Sequence, residues 1–324
     1  MTQKKTKLTI NYISELNFPS KSAYSIHVMK MCEAFSKSGY KTNLITVNSK
    51  NLSKIFKNYN IKYKFNIISV FDNFQKLNII LRIIFSIKTF SNNFDKKSIF
   101  ISRSIIFALL ASLLKKNIIL ELHHEITGLT KIIYSFLKHL GLIQNLRYIF
   151  LHKKLRNFYK INSKKNIVLD DASNIENFKN RKYKKFRNTC VYIGSFFEGK
   201  GIEQILRLAK KNKKIFFHIY GEKKYLRSKK IERNIKIFNY VNYSKIPKVL
   251  SKYQVALMPY QKKVRGRGSI WLEKYMSPLK MFDYLAAKMI IIASDLNVYK
   301  HILKNNFNCK LIKVNDDNAW SKTI

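Results

Sequence analysis

Cysteine is scarce in this chain of 324 residues: Cys32, Cys190 and Cys309 are odd in number, far apart and without a CxxC pair. That spacing excludes a disulfide framework and suits buried thiols in a reducing compartment. A long apolar run is also missing. The most apolar stretch, residues 105–114, is ten residues, well short of a membrane span. MTQKKTKLTINYI enters a strand-like run directly, with no signal-peptide core, so a cytoplasmic protein is expected. Acidic residues are few, 18 against 63 basic ones, giving a formal charge of +45. Arginine is few as well: 11 of the 63 basic residues, leaving 63 − 11 = 52 lysines, spread along the chain. Nucleic-acid readers concentrate charge on one face and favour arginine forks. Abundant Lys, Asn and Ile beside only 9 Gly instead fit drift toward A/T-rich codons. No nucleic-acid partner is therefore expected. The charge would still draw anionic lipid headgroups, at about 1 kcal/mol per well-placed basic residue.

What the chain does have is 46% hydrophobic residues, a globular share, and a length that fits two domains. Strand-like and helix-like segments alternate throughout, which predicts α/β architecture with parallel sheets covered on both faces. In the first half, strands are expected at 8–13, 41–47, 99–103, 117–122 and 166–170, and residues 58–71 are strand-like but ambiguous. Helices are expected at 23–38, 76–90, 105–115 and, as one long basic segment, 129–159. Residues 172–188 are polar, basic and aperiodic. The reading is a first domain over 1–175, a linker over 176–188 and a second domain over 189–324. In the second, strands are expected at 189–194, 215–221, 235–241, 255–259, 290–294 and 310–314, and helices at 202–212, 245–252, 279–288 and 298–305. The C-terminal end reads as truncated soon after its last helix begins. The fold class is thus two doubly wound, Rossmann-like domains.

Ligands of such sheets bind outside the carboxyl ends of the strands, where loops lead into helix N-termini. Four places stand out. In VYIGSFFEGKGIEQIL, a strand runs through Gly194 and Ser195 to Lys200 at a helix start, where a point charge joins unpaired N–H groups and suits a diphosphate. A surface lysine is the plain alternative. In YMSPLKMFDYLAAK, Ser277 reads as N-cap and Pro278 as first helical residue. Asp283 lies about a turn further on, where a carboxylate accepts from a ribose diol; a helix-dipole carboxylate or a surface pair with Lys280 is the alternative. In LNFPSKSAYSIHVMKMCEAF, the small residues around Pro19, Ser20, Ser22 and Ala23 let a ligand reach backbone N–H groups, or simply cap a helix. In IILELHHE, Glu121, His123 and His124 end a strand, but no second His/Asp/Glu cluster completes a metal site, so none is expected.

On these residues the chain resembles the family 4 (group 1) glycosyltransferases of GT-B fold, in which two such domains face each other across a cleft. VYIGSFFEGKGIEQIL is similar to the family's strand–loop–KG–helix, and KIFFHIYGE to the strand that reaches its glycine turn at Gly221. NYVNYSKIPKVLSKYQVALMPY is similar to its next helix and strand. SPLKMFDYLAAKMIIIASD, the specific part, is similar to the signature around its second acidic residue. The N-terminal segment FPSKSAYSIHVMKMCEAFSKSGYKTNLIT matches as well, and about two-thirds of the chain follows the pattern.

The resemblance implies a nucleotide diphosphate sugar as donor substrate, with no cofactor and no metal. Lys200 would neutralise the diphosphate, assisted by Gly194, Ser195, Gly221, Lys280 and the helix start at Ser277, Pro278 and Leu279. Asp283 would hold the ribose hydroxyls. His123 or His124 would be the catalytic histidine near the reacting sugar, and Pro19–Ala23 the acceptor-side loop. Three positions depart from the family: Ser195 stands where an arginine is usual, Tyr275 where the first acid is usual, and Asp283 where a glutamate is usual. Arg265 or Arg267, in VRGRGS, is the candidate for the missing guanidinium.

The function implied is retaining transfer of a hexose-type sugar to a glycan or lipid-linked glycan in surface polysaccharide or lipopolysaccharide synthesis. The basic apolar helices at 76–90 and 129–159 would rest on the cytoplasmic face of the inner membrane, or else be core helices with snorkelling lysines. A nucleotide-sugar epimerase or an inactive fold member shares these features. A basic RNA-binding protein, from another class, leaves SPLK unexplained.

Overall fold

The computed structural model describes residues 8–73, 76–92, 94–95, 97–179, 184–222, 226, 229–266 and 271–324. The chain divides into two compact units, Met1–Leu169 and Asp170–Ile324. The residues just past the division belong to the second unit because their polar groups bond there. The Asp171 N–H donates to Ser277 Oγ, and the Ser173 hydroxyl to Asp283. The aperiodic stretch read as a linker thus begins inside that unit.

The first unit runs β1 (Thr9–Phe18), α1 (Ala23–Lys37), β2 (Lys41–Ser49), α2 (Leu52–Asn58), β3 (Asn66–Ser69), α3 (Ile79–Phe90) and β4 (Ile99–Ser102). It continues with α4 (Ile105–Leu113), β5 (Asn117–Leu122), α5 (Gly128–His139), β6 (Arg147–Phe150), α6 (Lys153–Tyr159) and β7 (Asn166–Val168). Seven strands pair in parallel in the order β3-β2-β1-β4-β5-β6-β7. The helix starts are set locally. Ser22, Asn78 and Ser104 each accept an N–H of the first turn of α1, α3 and α4. Tyr12, Phe18, Val28, Met29 and Leu44 are fully buried where α1 crosses the sheet.

The expected single helix over 129–159 is wrong. α5 stops at His139, Gly141 follows at φ +69°, and Arg147–Phe150 forms a strand between β5 and β7. A short apolar run such as RYIF satisfies helical and strand spacing alike, so periodicity alone cannot separate them.

The second unit runs β8 (Thr189–Ile193), α7 (Ile202–Lys211), β9 (Phe216–Tyr220), β10 (Ile235–Phe238), α8 (Ile246–Leu250) and β11 (Val255–Met258). It ends with α9 (Leu279–Ala286), β12 (Ile290–Ser294), β13 (Lys310–Ile312) and α10 (Asp317–Thr323). Its six parallel strands lie in the order β10-β9-β8-β11-β12-β13. The strands read from the sequence are all present. The helix expected at 298–305 is instead a pair of turns, with the Leu303 and Ile302 N–H groups both donating to Tyr299 O.

Trp320 of α10 packs among Ile205, Leu208 and Ile312 with no exposure, and its indole N–H donates to Lys313 O. Replacing it with alanine leaves a large cavity at that end of the core. Trp320→Ala should destabilise the second unit by about 3–5 kcal/mol, seen as a lower urea midpoint by circular dichroism. An unchanged midpoint would show that α10 is not part of the folded core.

Candidate functional site

In the second unit the strand order reverses between β8 and β11, so the crevice for a ligand is expected at the carboxyl ends of those two strands. β8 leads into Gly194 and Ser195, and β11 into Pro259 and Tyr260. Two lysines meet there. Lys200 Nζ lies 4.9 Å from the centroid of the Tyr260 ring, and Lys280 Nζ lies 5.3 Å from the same ring and 3.6 Å from that of Tyr192. The Lys280 ammonium is buried and has no hydrogen-bond partner among the described residues. Burial, then repulsion from Lys200, pulls its pKa well below the usual lysine range, and burial lowers Lys200 to about 8. An unsatisfied cation is costly to bury, so it marks a place built for an anion more readily than for stability.

The backbone is shaped around these cations. A Cβ on Gly194, whose φ is +155°, would stand 2.5 Å from Lys280 Nζ. One on Gly201, at φ +86°, would stand 1.9 Å from Pro259 O, so only glycine lets the start of α7 close onto the end of β11. Gly221 sits behind, its N–H donating to Phe238 O while it packs on Phe196. Ser195 is exposed, and its carbonyl accepts from the Tyr192 hydroxyl at 2.8 Å.

The start of α9 differs by one residue from the expectation. Pro278, at φ −77° and ψ 116°, holds the N-cap position, and Leu279 is the first helical residue. Ser277 stands one residue before the cap, and its Oγ accepts the Asp171 N–H at 3.2 Å. No side chain caps this helix; the Met281 N–H donates back to Pro278 O at 2.9 Å, and the first-turn N–H groups left for another acceptor are those of Leu279 and Lys280. Asp283 is buried, and its Oδ1 accepts from Ser173 Oγ at 2.7 Å and from Tyr243 Oη at 3.1 Å. The alternative of a surface pair with Lys280 fails, since Lys280 turns to the Tyr192 ring. Sequence reasoning missed Ser173 and Tyr243, whose hydroxyls carry no motif of their own. Arg265 lies over the Trp271 ring at 6.0 Å and beside Glu198 at 3.5 Å. Arg267 lies outside the described residues.

In the first unit the reversal falls between β1 and β4. Near it, Glu121 at the end of β5 faces His27 of α1, with 2.7 Å between Oε1 and the His27 Nε2. The same oxygen contacts His123 Nε2, and Oε2 accepts from the Tyr12 hydroxyl at 2.6 Å. The two imidazoles meet edge to face at 5.1 Å. Burial alone would raise the Glu121 carboxyl, but the facing His27 and His123 outweigh it and hold it well below the usual range. Burial lowers His123 to about 4, so its ring is neutral at physiological pH. His124 turns away, its Nδ1 against Glu125 O at 2.8 Å. His27 is the residue that sequence reasoning missed: only the doubly wound order brings a histidine of the first helix to the fifth strand.

The acceptor-side loop is tied within its own unit. Ser22 caps α1, and the Ser20 N–H donates to Tyr59 Oη, whose hydroxyl donates back to Ser20 O. Pro19 and Ala23 are exposed.

Residues 173–324 match the family described as glycosyl transferases group 1. No curated protein matches the chain by sequence. Solved structures do match in fold. A glycosyltransferase from Rickettsia africae is 15% identical with a TM-score of 0.66, over 98% of this chain and 87% of that one. Anabaena HepE, in complex with UDP and glucose, is 9% identical at 0.66, over 98% and 88%. A TarM variant from S. aureus, in complex with Fondaparinux, alpha-GlcNAc-glycerol and UDP, is 13% identical at 0.69, over 97% and 91%. At such identities the likeness is one of fold, the two-domain α/β architecture of GT-B glycosyltransferases. The second unit of this chain is a group 1 glycosyl transferase domain, carried in a chain of GT-B fold.

Proposed function

We propose that the chain transfers a hexose-type sugar, with retention of configuration, from a nucleotide diphosphate sugar to a glycan or lipid-linked glycan of the cell surface. The observation that carries this reading is the buried, unpartnered Lys280 ammonium beside Lys200 at the switch point of the second sheet. As the glycosidic bond to the donor breaks, negative charge collects on the leaving diphosphate. Fixed cations and helix N–H groups stabilise that charge without reorganising. Lys200, Lys280 and the uncapped first turn at Leu279 are those groups, and in this reading no metal is required at the diphosphate. Gly194 and Ser195 form the turn that the phosphates would approach, Gly221 packs behind that turn, and Arg265 adds a guanidinium from the next loop. The ribose role of Asp283 requires its carboxylate to exchange the Ser173 hydroxyl for one of the ribose. In the first unit, neutral His123 offers the sugar a hydrogen bond, and the loop at Pro19–Ala23 meets the acceptor.

A lipid-linked acceptor is supported by an apolar, basic surface. α3 and α5 both pack on α4, and their outer faces expose Ile80 (63%), Ile87, Ile132 (67%) and Phe136 (60%). Arg82, Lys88, Lys131 and Lys138 lie on the same two helices. Such a face, apolar and rimmed by cations, fits a bilayer interface with anionic headgroups, on the cytoplasmic side in this reading. No helix among the described residues is long and apolar enough to cross a membrane.

Three outcomes test this reading. In a thermal-shift screen of UDP-, GDP- and other nucleotide sugars, one nucleotide series should raise the melting temperature. Lys200→Met and Lys280→Met should each weaken that ligand about 10–100-fold, the value of a charge-assisted hydrogen bond. If no sugar nucleotide shifts the protein, or both variants bind as the parent does, the donor reading is wrong. Product analysis then separates transfer from donor isomerisation, the mark of an epimerase.

The second outcome is a pH dependence. Between pH 8 and about 9.5, the folded chain sheds the Lys200 proton while the unfolded chain keeps it. The unfolded state then binds more protons, so stability rises with pH across that window. Lys280, also held below the usual lysine range, adds to the same rise, so Lys200→Met should lower the slope measured by urea unfolding without abolishing it; an equal slope in both proteins would contradict it.

The third concerns the bilayer. Vesicles containing phosphatidylglycerol should bind the protein at low salt, and Ile80→Asp with Ile132→Asp should release it. Binding that ignores both substitutions would move the contact elsewhere.

A further inference from the structure

We propose that His27, Glu121 and His123 form a binding site for a divalent transition-metal ion, with zinc the best match. The His27 and His123 ring nitrogens and a Glu121 carboxylate oxygen all lie within 4.8 Å of one another. Two imidazoles and one carboxylate are a donor set zinc accepts, and three protein ligands leave a fourth position for an oxygen ligand such as water. The donors stand on packed elements: His27 on α1, Glu121 within β5 and His123 just after it. Glu121 is oriented by the Tyr12 hydroxyl on its other oxygen, the second contact that metal-ligating carboxylates use.

Room for the ion is within reach. The His27 nitrogen and the Glu121 oxygen are 2.7 Å apart, whereas ligand atoms about 2.0–2.2 Å from a tetrahedral zinc stand roughly 3.3 Å apart. Small ring rotations open that gap. The imidazoles that now turn Nε2 toward the carboxylate would carry their proton on Nδ1 and give Nε2 to the metal. The carboxylate lowers the charge of the complex from +2 to +1, and no oxidant or further reactant is involved. The ion is held by the first unit alone, whereas the diphosphate lysines belong to the second. His123 serves the sugar in the donor reading, and an occupied site would take that ring nitrogen; metal uptake measured without sugar nucleotide therefore tests the ion apart from diphosphate binding.

The test uses the full chain, stripped with a chelator and titrated with Co2+ as a spectroscopic stand-in, then with Zn2+ in competition, without sugar nucleotide. One equivalent of Co2+ should bind with the intense visible bands of a tetrahedral site, and Zn2+ should abolish them. His27→Ala and His123→Ala should lose the bands, and Tyr12→Phe should weaken uptake about 10–100-fold, as the loss of an outer-shell partner does. His301→Ala, at the exposed pair with Asp170, should bind as the parent. Uptake that survives His27→Ala, or no stoichiometric uptake at micromolar Co2+, overturns the proposal and leaves a hydrogen-bonded cluster. Should His27→Ala fail to fold by circular dichroism, Glu121→Gln, of the same shape, decides on the same readout.

Discussion

A positive charge taken out of water, with no hydrogen-bonding partner among the described residues, is the constraint around which the second unit is arranged. Lys280 is placed there by the first turn of α9 and walled by the Tyr192 and Tyr260 rings, with Gly194 giving it space. Aromatic faces attract cations, but by less than a desolvated ammonium loses. The fold therefore holds an unfavourable arrangement that an anion would relieve. Such sites favour function over stability, and the stability comes from elsewhere, from a core that includes Trp320 and the parallel ladder behind it.

The first unit solves the opposite problem. Its buried charge is negative, the Glu121 carboxylate, and it is met by two imidazoles and a phenol instead of being left open. His123 is locked against Glu121, and His124 is turned to the backbone. Both clusters sit where their sheet reverses its strand order, one per unit. Each unit thus buries a group of one sign near the reversal of its sheet, a carboxylate in the first and an ammonium in the second.

Much of this was legible in advance, and the reasons are physical. In the second unit, short apolar runs bounded by polar turns marked every strand. The central ones are buried over most of their length and read as continuous runs, and the edge strands β10 and β13 stay apolar apart from an exposed lysine each. The strand at Arg147–Phe150 was not legible, since four apolar-rich residues between helical segments fit either period. Lys200 and Lys280 were found by their position in motifs, but nothing in a chain with 52 lysines says which of them are buried. Only packing separates these two from a solvated face. Asp283 was picked as a ligand group, yet its bonds to Ser173 and Tyr243 come from segments 110 and 40 residues away. His27 was invisible for the same reason: it lies on α1 and its partner Glu121 on β5. One departure from the family pattern, Tyr275, receives no explanation from its surroundings.

The central claim is that these ammonium groups await a diphosphate. The most direct measurement is the proton uptake that accompanies nucleoside diphosphate binding, read by calorimetry at pH 8.5 in buffers of different ionisation enthalpy. Burial holds both lysines below their usual pKa, so an arriving anion should raise them and draw protons from the buffer. Uptake that disappears in Lys200→Met and Lys280→Met is the predicted result. Binding without proton uptake, or proton release, would contradict the account.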